Sequence, residues 1–379
     1  MSDSLSVRRL ETRADRTRFL AIPGEIHSSD PNWICPMLFE EARKLEPKKH
    51  PFFEHGEAEF WIASRGGKPV GRIAALVNHS HLDKHQDGGG HFGMFEAEDD
   101  QQVFDALIDT AAEWLKRKGL TRMAGPASLS VNEEYGLLVG GFDTPPMIMM
   151  GHSPPYYSSR FEQAGLEKAK DLLAYLLDLT KPLPEPLTKL ARRARERIGV
   201  KVRSIDKRNA TSDLRLAVEV FNDAWSANWG FVSLSDSEAA HFVKSLKAII
   251  IRDLFLYAER HGETSAIMAA IPNLNEAIHD LDGRLLPFGW IKLIWRLKVR
   301  RISTARVFLM GVRRSIQKTS YGAGIVPVMI EDIYNAGCRK GMKYAELSWV
   351  LEDNRSMNRF IQMTGASQYK TYRIYQKML

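Results

Sequence analysis

Two words in the 379-residue chain bring proton-transfer groups together. In Ser130-Val-Asn132-Glu133-Glu134 a carboxylate pair follows an asparagine, and in Gly151-His152-Ser-Pro-Pro-Tyr156-Tyr157 an imidazole and a phenol flank two prolines. A carboxylate or imidazole accepts a proton from an attacking nucleophile, and an imidazole or phenol returns one to a leaving group. Each word also has a structural use, the first as a capped turn and the second as an ordered loop with packed aromatics. A third word, Gln317-Lys-Thr319-Ser-Tyr321-Gly322-Ala323-Gly324, sets two glycines just before an apolar run resumes. Bare backbone N–H groups at such a helix start hold phosphate, although a plain tight turn uses the same residues. His79, His81, His85 and His91, with Asp83 and Asp87, have a spacing that zinc accepts. They lie in a glycine-rich connector, and no metal is expected there.

The elements that must position these groups are repeated. Residues 60 to 78 and 254 to 273 each read as an apolar strand, a charged or glycine-bearing turn, and a strand of small and branched residues. Residues 106 to 129 and 328 to 351 each read as a helix with a basic last turn, a glycine stop and a strand. Residues 159 to 179 and 358 to 378 each close a short helix near a glycine and continue extended. Each half therefore predicts strand, helix, hairpin, strand, helix, strand, helix, strand. The fold class is α/β (α+β), with domains at 1–179 and 200–379, each a mixed central sheet flanked by helices. Between them, 180–199 carries three prolines and a basic run and reads as a linker with a solvated helix.

Composition limits the partners. With 44% hydrophobic and 26% charged residues the chain is not disordered, and two cysteines cannot make a disulfide framework. No window has the apolar length to span a bilayer and the N-terminal residues lack a signal core, so a cytoplasmic location is expected. The net charge of +7 favours an anionic partner, but no nucleic-acid motif is present and no nucleic acid is expected. The stretch 284–302 is an insertion in the second half, and read as a helix it sets Lys292, Arg296 and Arg300 in one stripe beside Trp290, Trp295 and branched residues. That pattern suits an anionic membrane surface, hence a peripheral position on the inner face of the cytoplasmic membrane; a core helix with a wet cationic edge is the other reading.

The repeated order resembles the Gcn5-related N-acetyltransferase (GNAT) fold, which implies two tandem acyl-CoA N-acyltransferase domains. The resemblance implies that a glycine-bearing loop opening a helix holds the pyrophosphate of acyl-CoA. The family's pattern is Gln or Arg, two residues, Gly, one residue, then Gly or Ala, and two registers are open. Thr319 to Gly324 keeps both glycines without the Gln or Arg, and Gln317 to Gly322 keeps the Gln without the first glycine. Asn354 and Gly365 match the family's Asn and the Gly eleven positions on, while Asn354 also suits a helix N-cap. The family's thiolate-protonating Tyr, seven residues after that Asn, is Ile361 here. Backbone N–H groups of Gly311, Val312 and Arg313 are the implied contacts for the thioester carbonyl. In the first half the matching strand runs into Glu96, Glu98, Asp99 and Asp100, which repel a pyrophosphate, so that half is expected to supply the acceptor side.

Residues 132 to 143, Asn-Glu-x-x-Gly-Leu-Leu-Val-x-Gly-Phe-Asp, and Pro154-Pro-Tyr-Tyr157 resemble a bacterial family of tandem acyltransferases that includes the bacterial ceramide synthases. The resemblance implies transfer of a long-chain acyl group from acyl-CoA, or from an acyl carrier protein thioester, to the amine of a sphingoid base or other lipid, without a permanently bound cofactor. The label dATP pyrophosphohydrolase, often attached to such sequences, lacks the helical carboxylate cluster that would hold Mg²⁺. Acylation of a small soluble amine, and non-catalytic binding of acyl-CoA or lipid by a decayed donor site, are the alternatives. Amide formation needs a base and an acid, for which Glu133, Asn132, His152 and Tyr156 are the candidates, followed by Asp143, Glu352 and Asp353. Phe221, Trp225, Trp229 and Phe231 fit either core packing or a wall for an acyl chain.

Overall fold

A computed structural model describes residues 4 to 300 and 302 to 379, with Arg300 described in its backbone only. The first half of the chain carries β1 (Leu5–Arg9), the hairpin β2 (Gly56–Arg65) and β3 (Lys68–Asn78), β4 (Gly89–Ala97), β5 (Arg122–Ala127), β6 (Leu137–Gly140) and β7 (Glu167–Asp178). The second carries β8 (Lys201–Ser204), the hairpin β9 (Phe255–Arg260) and β10 (Glu263–Pro272), β11 (Thr304–Val312), β12 (Tyr344–Leu351) and β13 (Ser367–Met378). Helices fall where the repeat requires them, with added short helices such as His79–His85 and Gly289–Trp295. The mixed α/β class expected from the sequence is what forms.

Two compact units result, and neither is continuous in sequence. One comprises residues 1–172, 275–295 and 370–379; the other comprises 173–274 and 296–369. In the first unit the strand order is β1-β2-β3-β4-β5-β13, with β6 also on β13. Its described ladders are antiparallel except β4 with β5. In the second unit the order is β8-β9-β10-β11-β12-β7, and β11 runs parallel to β12. The repeat's element order holds, but the copies exchange their last strands. The excursion Asn275–Trp295 also packs with the first unit: Asn275 Nδ2 donates to Pro146 O at 2.9 Å and Leu38 N–H to Gly283 O at 3.0 Å. Most of the expected insertion 284–302 thus belongs to that unit.

Amphipathic helices form the cores. Helix Gln101–Arg117 starts on Asp100, whose side chain accepts from Gln102 N–H, and buries Phe104, Leu107, Ile108, Ala111 and Leu115 at helical spacing. Helix Ser320–Arg339 is its counterpart, capped by Thr319 and burying Ile325, Val328, Met329 and Ala336. The linker helix Glu185–Arg193 is only half solvated. Leu187 and Ala191, followed by Ala194, are buried, and Arg195 pairs with Asp332 at 2.6 Å on helix Ser320–Arg339.

Candidate functional site

The second unit opens where β11 and β12 part. Their parallel ladder runs from Thr304↔Tyr344 to Val307↔Leu347, while β11 continues to Val312 and β12 to Leu351. Arg313 N–H is spent on Ser265 O of β10, 2.9 Å away. Because amides alternate along a strand, those of Met310 and Val312 face the splayed side. Their carbonyls there accept from Trp225 Nε1 and Gln317 Nε2, each at 2.8 Å. Of the three amides expected to meet the thioester carbonyl, that of Val312 lies on the splayed side and that of Arg313 does not.

The glycine word opens helix Ser320–Arg339. Thr319 Oγ1 accepts from Gly322 N–H at 3.1 Å, fixing the helix start. A Cβ on residue 322 would collide with the Ile316 carbonyl, and one on 324 would lie 2.9 Å from Ile198 Cδ1 and 3.1 Å from Ala194 Cβ. The first glycine is therefore required by the backbone of the returning loop, while the second lets Ala194 and the tip of Ile198 pack close.

A cavity of about 1280 Å³ lies against this helix start. Of the expected residues, Gly311, Val312, Gln317, Gly322, Ala323, Gly324 and Asn354 line it. Arg313 instead reaches Glu219 at 2.7 Å and Thr264 O at 2.8 Å, and the Tyr321 hydroxyl donates to Glu259 O at 2.8 Å. Asn354 also caps its own helix, accepting from Met357 N–H at 3.2 Å. Arg193, Arg197, Arg314 and Lys318 add positive charge to the lining, reinforcing the positive potential at the helix start. Trp225 and Trp229 line the wall; Phe221 packs on Trp225 at 5.1 Å and Phe231 on Phe221 at 5.2 Å.

One polar group in this unit escaped the sequence reading. Glu346 is fully buried in β12; Ser348 Oγ donates to it, as does the Tyr369 hydroxyl, and Arg306 Nε donates to Ser348 Oγ at 2.8 Å. Ser348 also lines the cavity. The signal was a Glu and a Ser two apart in an otherwise apolar strand, which places both on one face.

The candidates from the first half lie in the first unit, in separate pairs. Glu133 bonds His50 Nε2 at 3.3 Å and faces Lys44 Nζ at 3.9 Å. Burial opposes its ionisation, yet His50 and Lys44 hold the carboxyl down to about 2. Asn132 contributes its N–H to Ser130 Oγ at 3.2 Å. His152 Nε2 bonds Asp30 at 2.7 Å, and burial lowers the imidazole below its ordinary range. Tyr156 donates to Ala97 O at 2.8 Å, and burial raises its phenol. Glu96 is bound by His27 at 3.0 Å and Tyr157 at 2.8 Å, while Glu98, Asp99 and Asp100 pair with Lys68, Arg160 and Arg65. This unit's helix start thus carries carboxylates where the second unit's carries glycines. In the histidine connector, Asp87 is held by Arg122 and by Gly89 N–H, and burial depresses His91 to about 3. Among the described residues no group of three His, Cys, Asp or Glu is arranged to hold a metal ion.

No protein-family model matches the sequence. Relatives match along nearly their whole length. A protein named Bacterial ceramide synthase from Caulobacter vibrioides is 43% identical over 382 residues, covering 99% of this chain and 98% of its own. The chain belongs to that family. Protein YghO of Escherichia coli K12 is 40% identical over 374 residues, covering 98% of this chain and 95% of its own. Two solved structures, 12% and 14% identical, share the fold. The tandem GNAT protein from the clavulanic acid biosynthesis pathway has a TM-score of 0.56 over 99% of this chain and 98% of its own, and a GCN5-related N-acetyltransferase from Sphaerobacter thermophilus has 0.52 over 100% and 96%.

In this family member the tryptophan-rich stretch is exposed. Leu286 is 80%, Phe288 69% and Val299 62% accessible, and Trp290, Ile291, Ile294, Trp295 and Leu297 are each more than two-fifths accessible. Isolated apolar residues on a surface are ordinary, but a contiguous set is not. Lys292 reaches Asp280 at 3.6 Å, and Arg296 follows in the next turn. The Arg300 side chain lies outside the described residues. No described helix is long and apolar enough to cross a membrane.

Proposed function

We propose that this protein is an N-acyltransferase that moves a long-chain acyl group from an acyl thioester to the amine of a lipid, a sphingoid base in the first instance. The observation that carries the reading is the cavity of the second unit, which joins a glycine-bearing helix start and basic side chains to a long apolar interior. Its volume exceeds what a small soluble ligand needs. Family membership with the Caulobacter protein supports the same chemistry.

Acyl-CoA is the proposed donor. The N–H groups of Ser320 and Tyr321 at the start of helix Ser320–Arg339, with Arg193, Arg197, Arg314 and Lys318, would hold its phosphates. The amine nitrogen attacks the thioester carbon, the carbon–sulfur bond breaks and the amide forms. The nitrogen's proton leaves to a base, and the thiolate takes up a proton. Met310 and Val312 N–H are the proposed donors to the developing oxyanion. Ile361 cannot protonate the thiolate, so Ser348, backed by Glu346, is the proposed proton carrier at the cavity wall. In the first unit, His50 with Glu133 and His152 with Asp30 are proposed as imidazole–carboxylate pairs in which the carboxylate orients the ring. The exposed segment around Trp290, Lys292, Trp295 and Arg296 is proposed to rest on an anionic membrane, from which the lipid amine is drawn.

The experiment supplies purified protein with palmitoyl-CoA and sphinganine in mixed micelles, reading free thiol and the amide by mass spectrometry. Release of thiol with stoichiometric amide is expected. No thiol release with any long-chain amine overturns the proposal, and equal activity on soluble amines without detergent redirects it to a small-molecule acceptor.

A further inference from the structure

The cavity does not stop at the helix start. Its lining includes Gly322, Val326, Ile330, Ile333 and Gly337, one unbroken stripe at helical spacing along helix Ser320–Arg339. From residue 322 to residue 337 that stripe spans about 22 Å. A helix normally packs such a face tightly on its sheet, since interiors are filled to crystal-like density. Here strand residues and the helix stripe line one cavity. Ala270 on β10, Ala305 on β11 and Ala345 on β12 line the opposite wall, and Ala305 and Ala345 are direct partners in the parallel ladder. Three small side chains on adjacent strands leave room in that wall for a ligand chain. None of the strand residues that line the cavity is charged; Arg193, Arg197, Arg314, Lys318 and Asp353 come from helices and loops.

The lining reaches the C-terminal end of the helix at Gly337, where Leu179 and Met342 crowd in. A Cβ on residue 337 would lie 3.2 Å from Leu179 Cδ1 and 3.9 Å from Met342 Sδ, and both of those residues line the cavity. We infer that the acyl chain of the donor threads inward between helix Ser320–Arg339 and the strands, and that Ala305, Ala345, Gly337, Leu179 and Met342 set the chain length it accepts. The inference rests on the acyl-transfer reading of this site and adds the path and its stop. Phosphates bind at the helix start, the thioester sits where β11 and β12 part, and the hydrocarbon runs beneath the helix.

The test is a chain-length profile. Ala345→Leu fills the slot, and Leu179→Ala deepens its end. Values of kcat/KM are measured for decanoyl-, palmitoyl- and lignoceroyl-CoA, with circular dichroism melts confirming that each variant is folded. Ala345→Leu is expected to lose about tenfold or more on the palmitoyl donor while retaining the decanoyl donor, since pocket shape discriminates on this scale. Leu179→Ala is expected to shift preference toward the longer chain. Folded variants with an unchanged profile overturn the inference while leaving the acyl-transfer reading intact. If the wild-type protein transfers no acyl group at all, that reading fails, and binding of the fluorescent polyene cis-parinaric acid decides the remainder. Wild-type binding that Ala345→Leu abolishes supports the slot, and absence of wild-type binding, or equal binding by both, overturns it.

Discussion

Glu133 lies in the most distinctive word of the sequence, yet its geometry makes it a poor proton acceptor at neutral pH. A carboxyl held at about 2 stays ionised, whereas an efficient base has a pKa near the working pH. If this residue is essential, it acts by orienting His50. Its linkage to stability has a defined sign. The folded-state value lies below the ordinary 4.5, so the contribution is complete above about 4.5 and disappears as pH falls toward 2. Glu133→Gln removes the charge that faces His50 and Lys44, while Lys44 keeps Glu41 at 2.8 Å, and should destabilise the protein by about 1 kcal/mol at pH 7. The melting-temperature gap between variant and wild type should close between pH 4.5 and 2, and a gap independent of pH would refute the ionic account. Gly322 makes the complementary case. Its glycine was legible from the motif, and the collision with the Ile316 carbonyl gives the reason. Gly322→Ala must displace the loop that carries Gln317, and about a hundredfold loss in kcat/KM for the acyl donor is expected, since a misplacement of about 1 Å has that effect. Wild-type kinetics would show that the loop absorbs the methyl. Ser348 and Glu346 share a face by their spacing, but their relation to Arg306 is set by the ladder between β11 and β12, and a strand's sequence does not state its neighbours.

At the scale of elements, periodicity predicted most helices and hairpins, and the errors have a common source. The prolines and arginines of the linker helix Glu185–Arg193 suggest a solvated element, whereas Leu187, Ala191 and Ala194 have the spacing of a buried stripe. Charge on one face says nothing against burial of the other. The segment Gly289–Trp295 shows the opposite outcome. Its apolar residues recur as a core helix would require, but they are exposed, which favours the interfacial reading over the core one. Binding to vesicles containing phosphatidylserine is expected, and each basic residue near such a surface contributes about 1 kcal/mol. The double variant Lys292→Glu, Arg296→Glu should therefore weaken vesicle co-sedimentation by at least tenfold, and added salt should weaken the wild type. Binding that ignores both charge reversal and salt would dismiss an electrostatic contact, and Trp290→Ala, Trp295→Ala would then show whether the apolar residues act alone.

For the molecule as a whole, the repeat revealed how many copies there are and in what order their elements run, but not which copy each final strand completes. Hydrophobic alternation in residues 367 to 378 fits either sheet, because a strand's pattern specifies a face and not a neighbour. The structure assigns residues 370–379 to the first unit, where Tyr375 pairs with Gly125 and packs into that unit's core. Tyr372, Ile374 and Tyr375 are all but inaccessible, and the Tyr375 hydroxyl meets Ser158 Oγ at 2.7 Å. Arg373 Nε reaches Asp171 at 2.8 Å, and Lys370 Nζ donates to Thr144 O at 2.7 Å. Losing one large buried aromatic costs about 3–5 kcal/mol, and a domain's whole stability is about 5–15 kcal/mol. Truncation after Tyr369 removes three large buried side chains together with the strand that pairs with β5. Limited proteolysis of the truncated protein should therefore cut first within residues 1–172, whereas Tyr375→Ala alone should keep the fold with a lowered melting temperature. A truncated protein whose proteolytic pattern and melting match the full chain would show that β13 is an accessory edge, because a strand integral to this sheet cannot be removed without exposing the faces that Tyr372 and Tyr375 now cover.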